Sequence, residues 1–232
     1  MNIQDAIERL KQDSNILHLE GMKRYGIDNS KALGVSMPKV RALAKEIKKN
    51  QALSLGLWET GIHECRILAS MIGDPQQVTT EQMDTWAADF HSWDVCDQVC
   101  GNLFDRTQFA MEKAIEYSAS EKEYIKRAGF VLMAEFAVHN KKATDAAFMP
   151  FFPIIEREAW DNRNFVKKAV NWALRQIGKR NAALLQVAIA VAKRIAEQET
   201  KSAKWIAKDA LAELEKRSRP LSDIPANRIF IT

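Results

Sequence analysis

Glycine and proline are scarce, at 9 and 6 of 232 residues. Both punctuate folds made of many short strands, and stretches of alternating β-branched residues are nearly missing as well, which argues against a sandwich or a barrel. Cysteine is rarer still, at 3. An odd set without framework spacing fits a reducing cytosol better than a disulfide scaffold. No apolar run approaches the roughly 18 residues of a membrane span. Met1-Asn2-Ile3-Gln4-Asp5 has neither the basic nor the apolar region of a secretory leader. A cytoplasmic chain with no membrane partner is expected. There is no Gly-rich phosphate loop and no nucleophile elbow. His63-Glu64 opens like a zinc-protease helix, but Ile67 stands where the second histidine ligand belongs. Cys96 and Cys100, one turn apart with His91 nearby, fall short of the four ligands a metal needs. No metal and no cofactor are expected, and the cysteines read as buried structural residues.

What is present is an ordinary globular mix, 47% hydrophobic and 28% charged, enough for one sizeable core or a short repeat array. The net charge of +4 is unevenly spread. Residues 1–120 carry 13 Lys and Arg against 17 Asp and Glu, so 13 − 17 = −4; residues 121–232 carry 21 against 13, so 21 − 13 = +8. A basic half suits a nucleic-acid partner, and equally suits a set of solvated helix faces.

Apolar residues recur at helical spacing almost throughout. Ile3, Ile7, Leu10 and Ser14 trace one face of a first helix. Pro38 falls in the first turn of a helix through Val40, Leu43, Ala44 and Ile47, where its missing N–H is harmless. Further helices are predicted over roughly 51–60, 62–72, 80–90, 92–104, 106–117, 121–138, 144–158, 162–178, 181–198 and 201–217. Gly61, Gly73-Asp74-Pro75 and Arg219-Pro220 punctuate them.

The chain also resembles itself. Tyr124-Ile125-Lys126-Arg127-Ala128 matches Phe165-Val166-Lys167-Lys168-Ala169, and both match Ile206-Ala207-Lys208-Asp209-Ala210. The offsets, 168 − 127 and 209 − 168, are both 41, within the ~40–47 residue period of HEAT-type helical pairs. The expected fold is therefore all-α, a curved solenoid of HEAT-like antiparallel helical pairs. Residues 1–219 would form one domain with a concave groove for a long ligand, and 220–232 a C-terminal tail. In this register Trp172 takes the place of Val131 and Glu213. A position that accepts Glu is partly exposed, so Trp172 is expected to be more than core.

Two segments carry chemistry. A helix from Ser92 puts Trp93 and Asp97 one turn apart on one face. One reading makes Trp93 core, Ser92 a helix cap and Asp97 a surface carboxylate. Against it, Asp97 should follow Trp93 inward. A carboxylate between aromatic faces, near cations, can hold a positive charge while its surroundings grip a polyanion. Lys126, Arg127, Lys167, Lys168, Arg175, Lys179 and Arg180 lie on successive basic helices. Aligned in a groove they would track a phosphate backbone; otherwise they are surface ion-pair partners.

With these residues the chain resembles the DNA alkylation repair family of HEAT-like DNA glycosylases, the AlkD family. The anchors are Leu33-Gly34-Val35-Ser36-Met37-Pro38 leading to Arg41, Trp93-Asp94-Val95-Cys96-Asp97, Ile125-Lys126-Arg127-Ala128 and Ala169-Val170-Asn171-Trp172-Ala173-Leu174-Arg175. The resemblance implies active-site roles for Trp93, Asp97 and Trp172, and phosphate contacts from Arg127 and Arg175, with Lys126, Lys168 and Lys179 alongside. It implies a monomeric, nucleoid-associated enzyme that releases cationic N3- and N7-alkylated purines from duplex DNA. Ser92 and Cys96 depart from it: the family's best-known member has a second Trp at the position of Ser92 and an aliphatic residue at that of Cys96. Some branches of the family bind DNA with little or no excision, so a non-catalytic protein binding distorted or branched DNA is the alternative.

Overall fold

The computed structural model describes residues 1–218; residue 219 and the tail expected over 220–232 lie outside the described residues. Among the described residues there are thirteen α-helices and no strand: α1 (Ile3–Gln12), α2 (Ile16–Arg24), α3 (Met37–Ile47), α4 (Gln51–Glu59), α5 (His63–Ile72), α6 (Thr80–Ala88), α7 (Trp93–Asn102), α8 (Ala110–Ser118), α9 (Glu123–His139), α10 (Phe151–Glu158), α11 (Asn164–Gly178), α12 (Ala182–Glu197) and α13 (Lys201–Ser218). None of these helices is long and apolar enough to cross a membrane. The sequence chemistry at their starts is polar. Asn2, Asn15, Asn50, Thr79 and Asn181 each accept a hydrogen bond from an otherwise unpaired N–H of the first turn.

Several predicted boundaries move. The segment read as 92–104 closes as α7 followed by a 3-10 turn over Phe104–Arg106, so α8 begins only at Ala110. The segment read as 144–158 is a 3-10 turn over Asp145–Ala147 and then α10. In α1 the buried positions are Ala6 and Leu10, while Ile3 is exposed and Ser14 lies beyond the helix. The helix α2 had no periodic signal because none of its residues is buried.

The chain divides into two compact units, Met1–Leu132 and the residues from Met133 onward. In the first, α3, α5 and α7 pack as successive neighbours, α4 pairs with α5, and α1 rests on α4. Its centre is a stack of Trp58 on Trp86, with ring centroids 4.0 Å apart, and Phe104 beside Trp86. In the second, α11 packs on α13, and α12 contacts α10, α11 and α13. Val166, Val170, Leu174 and Ile177, spaced at three and four residues, are its buried stripe on α11. Fully burying each such side chain contributes about 1.5–3 kcal/mol.

The fixed 41-residue period is corrected. The helices α3, α5, α7, α9, α11 and α13 begin at residues 37, 63, 93, 123, 164 and 201, so successive intervals are 26, 30, 30, 41 and 37. The 41-residue step belongs to α9–α11, where the long connection before α10 lengthens the repeat. Repeats of unequal length still stack if each buries the same helix faces.

Two glycines separate packing from propensity. A Cβ at Gly129 in α9 would collide with the backbone nitrogen of Ser118 in α8, whereas nothing lies within 4 Å of a Cβ at Gly21 in α2. Gly129→Ala is therefore expected to lower stability by about 1–3 kcal/mol. Gly21→Ala should raise it by about 0.5–1 kcal/mol. Chemical denaturation of both variants checks the pair, and the packing account requires the opposite signs.

Candidate functional site

The site in the first unit is built on the start of α7. Ser92 is the buried N-cap with extended backbone, but its hydroxyl makes no cap hydrogen bond. Trp93 and Asp97 follow on one face. The Trp93 indole Nε1 donates to the carbonyl of Tyr25 at 3.0 Å, which fixes the ring. The Asp97 carboxylate is gripped at both oxygens by Arg127 of α9. Nε donates to Oδ1 and Nη2 to Oδ2, each at 2.8 Å. This is the planar fork geometry that only arginine offers. The guanidinium carbon lies 6.0 Å from the centre of a Trp93 ring. Trp93, Asp97 and Arg127 thus form one cluster, with the Asp97 side chain 17% and that of Arg127 7% exposed.

Two carboxylates here are driven in opposite directions. Burial pushes the Asp97 carboxyl above the usual aspartate range, the Arg127 charge and hydrogen bonds hold it back, and the Asp94 charge adds to the rise. Burial would raise Asp94 too. There a hydrogen bond and charge from His63, with the backbone N–H of Val95, win and hold it below that range. The His63 Nε2 to Asp94 Oδ2 distance is 2.8 Å. Neighbouring acids in unlike environments are a common mark of a working site.

The frame behind this cluster is α5. His63 holds Asp94, and the next residue, the buried Glu64, accepts three backbone N–H bonds. Leu33 donates to Oε2 at 2.8 Å, and Gly34 and Val35 to Oε1 at 2.7 and 3.1 Å. Gly34 has φ +75°, and a Cβ there would strike the carbonyl oxygen of Asn15. Its own carbonyl accepts from Asn15 N and lies 3.1 Å from His18 Nδ1, which tethers the start of α2. The far end of α2 carries Tyr25, whose carbonyl orients Trp93. Sequence reasoning met His63 and Glu64 only as a failed zinc motif. The available signal was two polar residues opening an otherwise apolar helix.

The second unit holds the other candidates on one face of α11. Lys168, Trp172, Arg175 and Lys179 are spaced by four, three and four residues. Lys168 is exposed; Trp172, Arg175 and Lys179 are partly exposed. Trp172 and Glu213 share the partial exposure expected from the repeat, while Val131 is fully buried. Arg175 and Lys179 both pair with Glu213, at 2.6 and 3.0 Å. Lys126 and Arg127, expected in an open row of cations, are buried at 5% and 6% exposure. The helix α9 turns these positions inward. Cys65, Cys96 and Cys100 are free and buried. Among the described residues no cluster of His, Cys, Asp and Glu could hold a metal.

The pair geometry makes a stability prediction. Asp97→Asn removes the carboxylate charge that the buried Arg127 grips, and Arg127→Gln removes the guanidinium charge opposite Asp97. Each is expected to cost about 3–5 kcal/mol. The double variant replaces the ions by two amides and should recover a large part of that loss. Denaturant melts of the four proteins give the coupling; additive losses would mean that the two side chains act independently.

No curated protein matches the chain. Among solved structures it is similar to a member of a family of proteins related to the HEAT-like repeat DNA glycosylases with affinity for branched DNA structures. The TM-score is 0.74 at 20% identity, over 94% of this chain and 95% of that one. This likeness identifies the fold as HEAT-like. A family model described as DNA alkylation repair enzyme matches residues 6–214. With nearly its whole length matched, the chain belongs to the DNA alkylation repair enzyme family.

Proposed function

We propose that the protein is a DNA glycosylase that hydrolyses the N-glycosidic bond of cationic N3- and N7-alkylated purines in duplex DNA. The observation that carries this reading is the Asp97 carboxylate, locked by Arg127 beside the Trp93 ring. Family membership and the exposed or partly exposed cations of α11 support it.

The chemistry needs few groups. An alkylated purine is already positively charged, so it leaves as a neutral base without a general acid. The bond from C1′ to the base breaks and its electron pair goes to the purine. Water adds to the oxocarbenium-like sugar and loses a proton, which leaves an abasic site. One carboxylate suffices where ordinary glycosidases use two. Asp97 stabilises the developing sugar charge and orients the water. Trp93 offers a π face to the same charge. Arg127 is a positioning residue in this scheme, because two of its donors hold Asp97. Contact with DNA phosphates falls to Lys168, Arg175 and Lys179, and Trp172 packs on the DNA backbone.

The test is single-turnover release of 7-methylguanine from methylated duplex. Asp97→Asn, and the better-folded double variant with Arg127→Gln, should be slower by about 10²-fold or more. Excision requires the ionised carboxylate. The rate therefore falls as pH drops through the Asp97 value, and this acid limb should sit above the ordinary aspartate range. Arg127→Gln removes the charge that opposes burial, so it should move the limb higher still. Wild-type protein that binds duplex yet releases no methylpurine would instead support a non-catalytic DNA-binding role.

A further inference from the structure

The cations on α11 are held by acids of a second kind. Arg127 grips Asp97 with two parallel bonds in a nearly dry setting. Arg175 meets Glu213 through Nη1 alone, at 2.6 Å, and its Nε has no partner among the described residues. The other Glu213 oxygen takes Lys179 at 3.0 Å. One turn earlier on α13, Asp209 Oδ2 accepts from Asn171 at 2.6 Å and lies 3.7 Å from Arg175 Nη1. Arg175 and Lys179 are 28% and 22% exposed, and Asp209 and Glu213 44% and 32%. Partly exposed pairs of this kind add little to stability, so stability does not account for the arrangement. Burial would raise the Glu213 carboxyl, but Lys179 and Arg175 hold it below its usual range, so it is an anion at neutral pH.

The contacts between the two helices show how their charges differ. At their offset of 38 residues, Asp209 faces Asn171 and Glu213 faces Arg175. Where α11 carries Lys168, Arg175 and Lys179 on one face, α13 sets two carboxylates against it. A phosphate backbone following the repeat would find attraction at α11 and repulsion one repeat later. Lys168, on the same face of α11, makes no ion pair among the described residues.

We propose that Asp209 and Glu213 stand in for phosphates in the DNA-free protein and end the DNA-contact surface at α11. The inference rests on the DNA-binding reading above. Duplex DNA displaces the two carboxylates from Arg175 and Lys179, so each binding event breaks these contacts. The acids lower affinity for any duplex and reduce the number of cations free to release counterions.

Fluorescence anisotropy with a short undamaged duplex over a salt series tests this. The proteins are wild type, Asp209→Asn, Glu213→Gln, both together, and Glu215→Gln. Glu215 lies on α13 4.0 Å from Lys193 of α12, so its removal matches the net-charge change of either single variant without touching α11. The double variant should bind several-fold to about tenfold tighter at low salt, with a slope of log affinity against log salt steeper by about one per freed cation. Glu215→Gln should change both by less than either single variant does. Tightening by Glu215→Gln equal to that of the single variants would reduce the effect to net charge and overturn the proposal. Weaker binding by the double variant would also overturn it, by showing that the acids position the cations for DNA. If wild type and all variants ignore duplex at every salt concentration, the DNA-binding reading itself fails.

Discussion

The pair between Asp97 and Arg127 is the constraint on which the first unit's candidate site depends. A buried carboxylate on its own protonates; a buried guanidinium on its own has no neutral form to adopt. Each makes the other's charge tolerable, and two bonds of 2.8 Å leave the carboxylate one orientation. Trp93, one turn earlier on α7, then lies close to both charges. A weaker lysine contact in place of Arg127 would neither fix the plane of the carboxylate nor place a flat cation near the indole.

The surrounding polar network serves that geometry. Glu64 gathers three backbone donors from Leu33, Gly34 and Val35, and the tight turn at Gly34 fastens the start of α2. Since α2 has no fully buried residue, these contacts matter for holding it, and the carbonyl of its C-cap Tyr25 orients Trp93. His63, beside Glu64 on α5, holds Asp94 low while burial pushes Asp97 high. One helix thereby orders both flanks of the cluster. The second unit works differently. Arg175 and Lys179 are wetter, and each makes one short contact to a Glu213 oxygen, which suits groups that exchange partners.

Much of this was legible in the chain, and the rest was hidden for physical reasons. Helices with a buried stripe, such as α11, announce themselves by spacing, and polar caps mark where they start. The helix α2 does not, because Ile16 and Leu17 are exposed and its anchors are hydrogen bonds to distant loops. Asp97 and Arg127 each drew notice separately, but their pairing across 30 residues leaves no trace in local periodicity. The phosphate contact expected of Arg127 came from the family resemblance, which carries no information on this pairing. Trp172 is partly exposed, as its alignment with Glu213 suggested, although the step from α11 to α13 is 37 and not 41; Val131, which does lie one 41-residue step before Trp172, is buried. Nothing in a helical pattern distinguishes a cation facing solvent from one facing a carboxylate.

The most direct test of the central claim is a titration of the Asp97 carboxyl by its carbon chemical shift, in wild type and in Arg127→Gln. The account predicts an Asp97 that protonates above the ordinary aspartate range. It also predicts that the midpoint climbs when Arg127 loses its charge. The same midpoint in both proteins, or one within the ordinary range, would contradict the claim that burial and Arg127 together set the state of this carboxylate.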